Sequence, residues 1–99
     1  MLKKQYLKSK PVCKVTFEVP KAVGADQAYL VGDFNGWDAA ATPMRRLKDG
    51  RHTVTLKLDA GQEYQFRYKL DGIWDNDWQA DLYTVNPYGG ENSVISTHQ

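Results

Sequence analysis

Alternation of apolar and polar side chains predicts three half-buried β-strands in this chain. The clearest runs are residues 12–19, 52–58 and 64–70, in which every second residue belongs to an apolar register. A period of two places these side chains on one face of a strand, so we expect them to form the core. The residues in the apolar register are Cys13, Val15, Phe17, Val19, His52, Val54, Leu56, Leu58, Tyr64, Phe66, Tyr68 and Leu70.

Further strands are predicted from shorter segments. Residues 28–33 form a compact apolar run typical of a buried strand, residues 44–47 fit a short edge strand, and residues 92–97 close the chain. The three alanines at 39–41 are too few to hold a helix alone. Residues 75–91 show no pattern and are predicted to be a long loop, a feature that is often functional. Short strands separated by turns every 8–12 residues are typical of an all-β sandwich.

Two tryptophans follow predicted turns directly. Trp37 comes after the Asn-Gly turn at 35–36, and Trp74 comes shortly after the Asp-Gly turn at 71–72. Each indole is either buried in the core or exposed as a flat surface, and we favour the exposed surface for both. Trp78 lies inside the patternless segment, and we expect it to pack that loop against the domain.

Length, charge and cysteine content narrow the class of protein. A chain of 99 residues fits one domain; we expect a frayed basic segment at 1–10 and the sandwich at 11–99. The formal net charge of +1 offers no extended basic face for nucleic acid. The single Cys13 excludes an intramolecular disulfide and fits a buried small hydrophobe. No signal-peptide pattern and no membrane-length apolar run are present, so we expect a cytoplasmic protein that does not bind membranes.

The order of several short motifs resembles the family 48 carbohydrate-binding modules. The matching segments are residues 31–37 (VGDFNGW), 43–44 (PM), 49–50 (DG), 64–68 (YQFRY), 71–74 (DGIW) and 86–95 (NPYGGENSVI). These modules occur at the N-terminus of isoamylases and glycogen branching enzymes and in the β subunit of AMP-activated protein kinase. The resemblance implies an immunoglobulin-like, early-set β-sandwich of two antiparallel sheets.

The resemblance also implies a carbohydrate-binding site. In the kinase-type modules two tryptophans stack on a curved α-1,4-glucan, while a basic residue and an asparagine hydrogen-bond to it. These roles fall on Trp37, Trp74, Arg67 and Asn92. Tyr88 stands where the family has an aliphatic residue, and it is either a ligand contact or a loop anchor. The alternation independently places Arg67 on the polar face of its strand.

Two functions follow from this reading. The first is non-catalytic binding of an α-1,4-glucan such as glycogen, starch or a maltooligosaccharide. The alternative is a protein-interaction module of the same fold, which docks on a glycogen-metabolising enzyme or self-associates without binding sugar. Residue exposure discriminates between them, because a sugar platform needs both indoles at the surface.

Catalysis and metal binding are disfavoured. Acidic residues are available in or beside the 75–91 segment, but a small sandwich offers no deep cleft for the two carboxylates that glycoside hydrolysis needs. Asp71, Asp75 and Asp77 alternate as in a calcium loop, yet the glycine and distal glutamate of an EF-hand are missing. We therefore expect no catalytic residues, no metal ligands and no cofactor.

Overall fold

A computed structural model describes residues 2–87 and 90–98 of the chain. Two antiparallel sheets form an immunoglobulin-like β-sandwich. The first sheet has the strand order β1-β2-β5-β4, and the second has the order β3-β6-β9-β8 with β7 also paired to β6. The strands are β1 Leu2–Tyr6, β2 Val12–Val19, β3 Ala28–Gly32, β4 Arg45–Arg46, β5 His52–Asp59, β6 Glu63–Leu70, β7 Ile73–Asp75, β8 Leu82–Val85 and β9 Glu91–Ser96. No helix among the described residues has the length and apolar character that a membrane span needs.

The core lies between the two sheets, where the alternating pattern predicted it. Phe17 of β2 meets Phe66 of β6 edge-on, with the ring centroids 5.1 Å apart, and Tyr68 continues the aromatic row. The predicted core residues are buried or packed against the core cluster. His52 is buried as well, and its Nε2 lies 3.3 Å from the carbonyl oxygen of Asp26.

The N-terminal segment is not frayed, so that expectation is wrong. Leu2–Tyr6 pairs antiparallel with β2, from Leu2 opposite Phe17 to Tyr6 opposite Cys13. Leu2 and Tyr6 are half-buried against the core, whereas Lys3 is exposed to solvent. A charged outer face is common on edge strands because it discourages pairing with other chains.

The prediction of an unbroken loop over 75–91 is also wrong in part. β7 pairs with the end of β6, with Trp74 opposite Lys69, and β8 pairs with β9. The three alanines form no helix: they lie in a turn in which the N–H of Ala40 donates to Asp38 Oδ1 at 2.9 Å.

Candidate functional site

A groove of about 720 Å³ lies along the outer face of the second sheet. Its walls come from the turn after β3, from β6, β7 and β9, and from the segment between β8 and β9. The lining residues are Asp33, Trp37, Gln65, Arg67, Trp74, Asn86, Pro87, Gly90 and Asn92.

Strand β6 builds the floor of the groove. Because its alternate residues enter the core, Gln65, Arg67 and Lys69 project to the outer face. Residues directly opposite in an antiparallel pair share a face, so Val31 opposite Arg67 and Val94 opposite Gln65 belong to this side of the sheet. Both valines are nevertheless buried. The floor is therefore partly apolar beneath its polar side chains.

Trp37 is presented by a turn of unusual backbone geometry. A single turn of 3-10 helix, Asp33–Asn35, follows β3, and Gly36 then adopts a left-handed conformation with φ of 66°. Trp37 is itself left-handed, with φ of 59°, which is a strained conformation for a bulky residue. Its backbone N–H donates to the carbonyl oxygen of Gly32 at 3.0 Å. This arrangement leaves the side chain 37% exposed.

Asp33 holds the indole of Trp37 in place. The indole Nε1–H donates to Asp33 Oδ1 at 2.9 Å, and the backbone N–H of Gln65 donates to Asp33 Oδ2 at 2.7 Å. One carboxylate therefore ties the tryptophan turn to β6. Asn35 closes the same turn, because its Oδ1 accepts the N–H of Gly32 and its Nδ2 donates to the carbonyl oxygen of Leu30.

Trp74 also lines the groove and is flanked by two cations. Its side chain is 41% exposed. The guanidinium carbon of Arg67 lies 6.0 Å from the ring centroid, and Lys69 Nζ lies 5.3 Å from it. Cations at these distances are attracted to the negative face of the indole.

Asn92 is the centre of a chain of side-chain amides. Its Nδ2 donates to Gln65 Oε1 at 3.0 Å, and its Oδ1 accepts a hydrogen bond from Asn86 Nδ2 at 3.2 Å. Asn86 Oδ1 in turn accepts the N–H of Gly90. Asn92 is only 7% exposed, but a primary amide carries two donors and two acceptor lone pairs. Within the described residues, the pairs with Gln65 and Asn86 use one donor and one acceptor of the Asn92 amide.

Arg67 carries a buried donor that lacks a partner among the described residues. Its Nε is buried and makes no hydrogen bond within the described part of the chain. A buried N–H left in this state costs about 1–3 kcal/mol, and such atoms in native proteins call for an explanation such as a missing ligand or water. A Cβ at Gly90 would lie 3.3 Å from Asn86 Nδ2, which is a tight contact, and 3.9 Å from Arg67 Nη1, which is an ordinary one.

Four of the five residues predicted to bind carbohydrate line this groove. They are Trp37, Arg67, Trp74 and Asn92. Both indoles are at the surface rather than in the core. Tyr88 lies outside the described residues, and the binding role of all five stays a prediction.

Sequence reasoning did not single out Asp33, Gln65, Lys69 or Asn86. Gln65 and Lys69 share the polar register of Arg67, so the alternation already contained their signal. Asp33 and Asn86 gave only the signal of turn residues. Asp33 contacts Gln65, which is distant in sequence, and Asn86 contacts Gly90 and Asn92, which follow it closely in the chain.

Beside the groove, Asp77 anchors the segment that carries Trp78. Asp77 is 1% exposed, and its Oδ2 accepts the hydroxyl of Tyr68 at 2.6 Å. Burial, followed by the charge of Asp77, raises the pKa of Tyr68 well above its usual value. Trp78 lies nearly parallel to the Tyr68 ring, with the centroids 6.2 Å apart, as expected for a residue that packs this loop.

The aspartates at 71, 75 and 77 make separate structural contacts. The carboxylate of Asp71 accepts the backbone N–H of Gln27 and of Asp26, which lowers its pKa. Asp75 Oδ1 accepts the N–H of Asn76, and Asp77 is bound to Tyr68. Within residues 2–87 and 90–98, no three His, Cys, Asp or Glu side chains cluster as metal ligands would.

Comparison with known proteins gives the chain its family. A family model described as the glycogen recognition site of AMP-activated protein kinase matches residues 14–99. An α-amylase of Niallia circulans is 38% identical over 97 aligned residues, which cover 86% of this chain and 7% of that enzyme. The 1,4-α-glucan branching enzyme GlgB of Photobacterium profundum is 30% identical over 80 residues, covering 80% of this chain and 10% of GlgB. The chain thus spans a tenth or less of the length of these relatives, and it belongs to the family of glycogen-recognising, family 48 carbohydrate-binding modules.

Proposed function

We propose that this chain is a non-catalytic module that binds an α-1,4-glucan across Trp37 and Trp74. The observation that carries the proposal is the presence of two partly exposed indoles on one groove, with Arg67 and Asn92 also lining it. The family match and the similarity to an α-amylase and a branching enzyme support a glucan as the ligand.

The chemistry of the groove suits a sugar. A glucose ring has an apolar face of C–H bonds and a rim of hydroxyl groups, so its site needs flat aromatic surfaces and a few fixed polar groups. The two indoles supply the surfaces. The guanidinium of Arg67 and the side-chain amide of Asn92, which both line the groove, carry hydrogen-bonding groups that suit hydroxyl groups. The volume of about 720 Å³ lies within the usual range for ligand sites.

The carboxylate content of the groove supports binding rather than hydrolysis. Glycoside hydrolysis uses a pair of carboxyl groups about 5–9.5 Å apart. Among the described lining residues, Asp33 is the sole carboxylate. It already accepts hydrogen bonds from the indole of Trp37 and from the backbone of Gln65, so its role is to hold the site together.

A titration with maltoheptaose tests this proposal. We expect maltoheptaose to shift the indole and backbone NMR signals of Trp37 and Trp74. Trp37→Ala and Trp74→Ala should each weaken the affinity at least about tenfold, since buried aromatic anchors dominate binding energies. Both side chains are partly exposed, so the variants should remain folded.

Trp78→Ala is the matched control, because Trp78 is exposed to a similar degree but does not line the groove. Its affinity for maltoheptaose should equal that of the unaltered protein. Absence of any signal change at millimolar maltoheptaose would refute binding of an unsubstituted α-glucan. An equal loss of affinity in all three variants would refute the assignment of the groove.

A further inference from the structure

Among the described residues, the two cations beside Trp74 have no acidic side chain as an ion-pair partner. Neither Arg67 nor Lys69 forms an ion pair within the described part of the chain. The ion pairs of the described residues are Lys4–Asp81, Arg46–Asp26, Arg51–Glu18 and Arg51–Asp49. Both cations lie against the indole of Trp74, which lines the groove, so they can act together on a ligand that stacks there.

The acidic residues nearest in sequence are directed elsewhere. Asp75 pairs with Tyr68, whose side chain enters the core, so Asp75 lies on the opposite face of the sheet from Lys69. The carboxylate of Asp71 is engaged by the backbone N–H groups of Asp26 and Gln27.

The groove carboxylate is too distant to neutralise Lys69. Asp33 binds the backbone of Gln65, which lies four residues from Lys69 along β6. At about 3.3 Å per residue this separation is about 13 Å along the strand. That distance exceeds the Debye length of about 8 Å at physiological ionic strength. Lys69 therefore keeps an uncompensated positive charge beside Trp74, whereas Arg67, only two residues from Gln65, lies nearer to the Asp33 carboxylate.

We propose that the Trp74 end of the groove recognises an anionic substituent, of the phosphate-monoester class, on the bound α-glucan. This inference rests on the proposed glucan binding. The sugar ring stacks on the indole, and Lys69 and the guanidinium of Arg67 contact the anionic oxygens. The planar guanidinium suits a phosphate because it donates two parallel hydrogen bonds.

A purely structural role for the cations makes a different prediction. If Arg67 and Lys69 only hold the Trp74 ring through cation–π attraction, neutral and phosphorylated glucans bind equally. If they form an anion site, the phosphorylated glucan binds more tightly, and its advantage falls with salt. The ratio of the two affinities is therefore the informative quantity. A change in the position of the Trp74 indole alters both affinities alike and leaves their ratio unchanged.

The experiment titrates the full chain with maltoheptaose, with maltoheptaose carrying one phosphate monoester, and with inorganic phosphate alone. We expect the phosphorylated sugar to bind about five- to tenfold more tightly at about 10 mM ionic strength, as two partly exposed charge contacts would give. The advantage should fall to about twofold at about 150 mM, where the Debye length is shorter.

Lys69→Met should lower the ratio of the affinity for the phosphorylated sugar to that for maltoheptaose at low salt. Lys57→Met, on the outer face of the first sheet, is the control and should leave the ratio unchanged.

Each outcome decides between the two proposals. Equal affinity for both sugars, or a ratio that Lys69→Met does not change, overturns the anion site while maltoheptaose binding upholds the proposed function. Inorganic phosphate that binds as tightly as the phosphorylated sugar overturns recognition of a glucan substituent. Binding of the phosphorylated sugar alone supports the anion site and restricts the function to anionic glucans. No binding of either sugar overturns both proposals.

Discussion

At the scale of single residues, the geometry of the groove depends on a carboxylate that need not touch the ligand. Asp33 accepts the indole N–H of Trp37 and the backbone N–H of Gln65. Trp37 is held at a positive φ, which the surrounding structure must stabilise. Without Asp33, the exposed indole is free to adopt other rotamers, and a ligand must then order it on binding.

Asp33→Ala should therefore weaken both folding and binding. The loss of two hydrogen bonds to a charged group should lower the free energy of unfolding by about 1–3 kcal/mol. The affinity for maltoheptaose should fall about fivefold, because immobilising a freed side chain costs about 0.5–1.5 kcal/mol. Urea unfolding and calorimetric titration measure the two effects.

Asp49→Ala is a suitable control for this prediction. Asp49 also accepts a backbone N–H, that of Arg51, but it lies in the turn before β5 and away from the groove. This variant should lose stability without losing affinity. If Asp33→Ala binds maltoheptaose as tightly as the unaltered protein, Asp33 does not position Trp37.

The sequence predicted the tryptophans of the groove but not the residue that positions one of them. Trp37 and Trp74 stood out because each follows a predicted turn and because the family motifs include them. Asp33 did not, since an aspartate before Asn-Gly is also an ordinary turn residue. Its contact with Gln65 joins residues 32 positions apart, and no local pattern encodes such a contact.

At the scale of elements, β7 and β8 depend on one buried cluster. The hydroxyl groups of Tyr68 and Tyr83 donate to Asp77, to its carboxylate and its backbone carbonyl respectively, and the N–H of Asp77 donates to Ser93 Oγ. Both strands are too short to show an alternating pattern, having three and four residues. Their pairing is set by these long-range contacts, which explains why the sequence predicted only a loop.

Tyr68→Phe should lower the free energy of unfolding by about 1.5–3 kcal/mol, the usual range for a hydrogen bond to a charged group. Tyr64→Phe is the control, because the hydroxyl of Tyr64 donates to the backbone carbonyl of Asp59 at a partly exposed position. It should lose about 1 kcal/mol or less. Urea unfolding at pH 7 measures both, and equal losses would show that Asp77 does not bind Tyr68 in solution.

Comparison of Tyr68→Phe with the unaltered protein also predicts how stability depends on pH. Burial and the charge of Asp77 raise the pKa of Tyr68 in the folded state above its ordinary value of 10.0. The neutral phenol therefore stabilises the fold fully below about pH 10, and this stabilisation is lost as the pH rises toward the folded-state pKa. Tyr68→Phe lacks this ionisation, so the stability gap between it and the unaltered protein should narrow above pH 10.

At the scale of the whole molecule, the groove and the N-terminal strand belong to different sheets. The groove lies on the outer face of the second sheet, whereas β1 is an edge of the first. β1 also connects the two sheets, because Lys4 Nζ lies 2.6 Å from Asp81 Oδ2 and the hydroxyl of Tyr6 donates to the carbonyl oxygen of His98. Its sequence suggested a frayed terminus because lysines dominate it, but Leu2 and Tyr6 supply the apolar contacts.

Deletion of residues 1–7 should separate stability from binding. Loss of the half-buried Leu2 and Tyr6 side chains should lower the free energy of unfolding by about 2–3 kcal/mol, and β2 becomes an exposed edge that favours self-association. The affinity of the folded monomer for maltoheptaose should be unchanged.

Lys4→Met is the control, because it removes only the partly exposed ion pair with Asp81. It should lower the free energy of unfolding by about 1 kcal/mol or less. Urea unfolding, sedimentation and calorimetric titration test these expectations. If the deletion is as stable as Lys4→Met, then β1 stabilises the fold through the Lys4 ion pair and not through its strand pairing and apolar contacts.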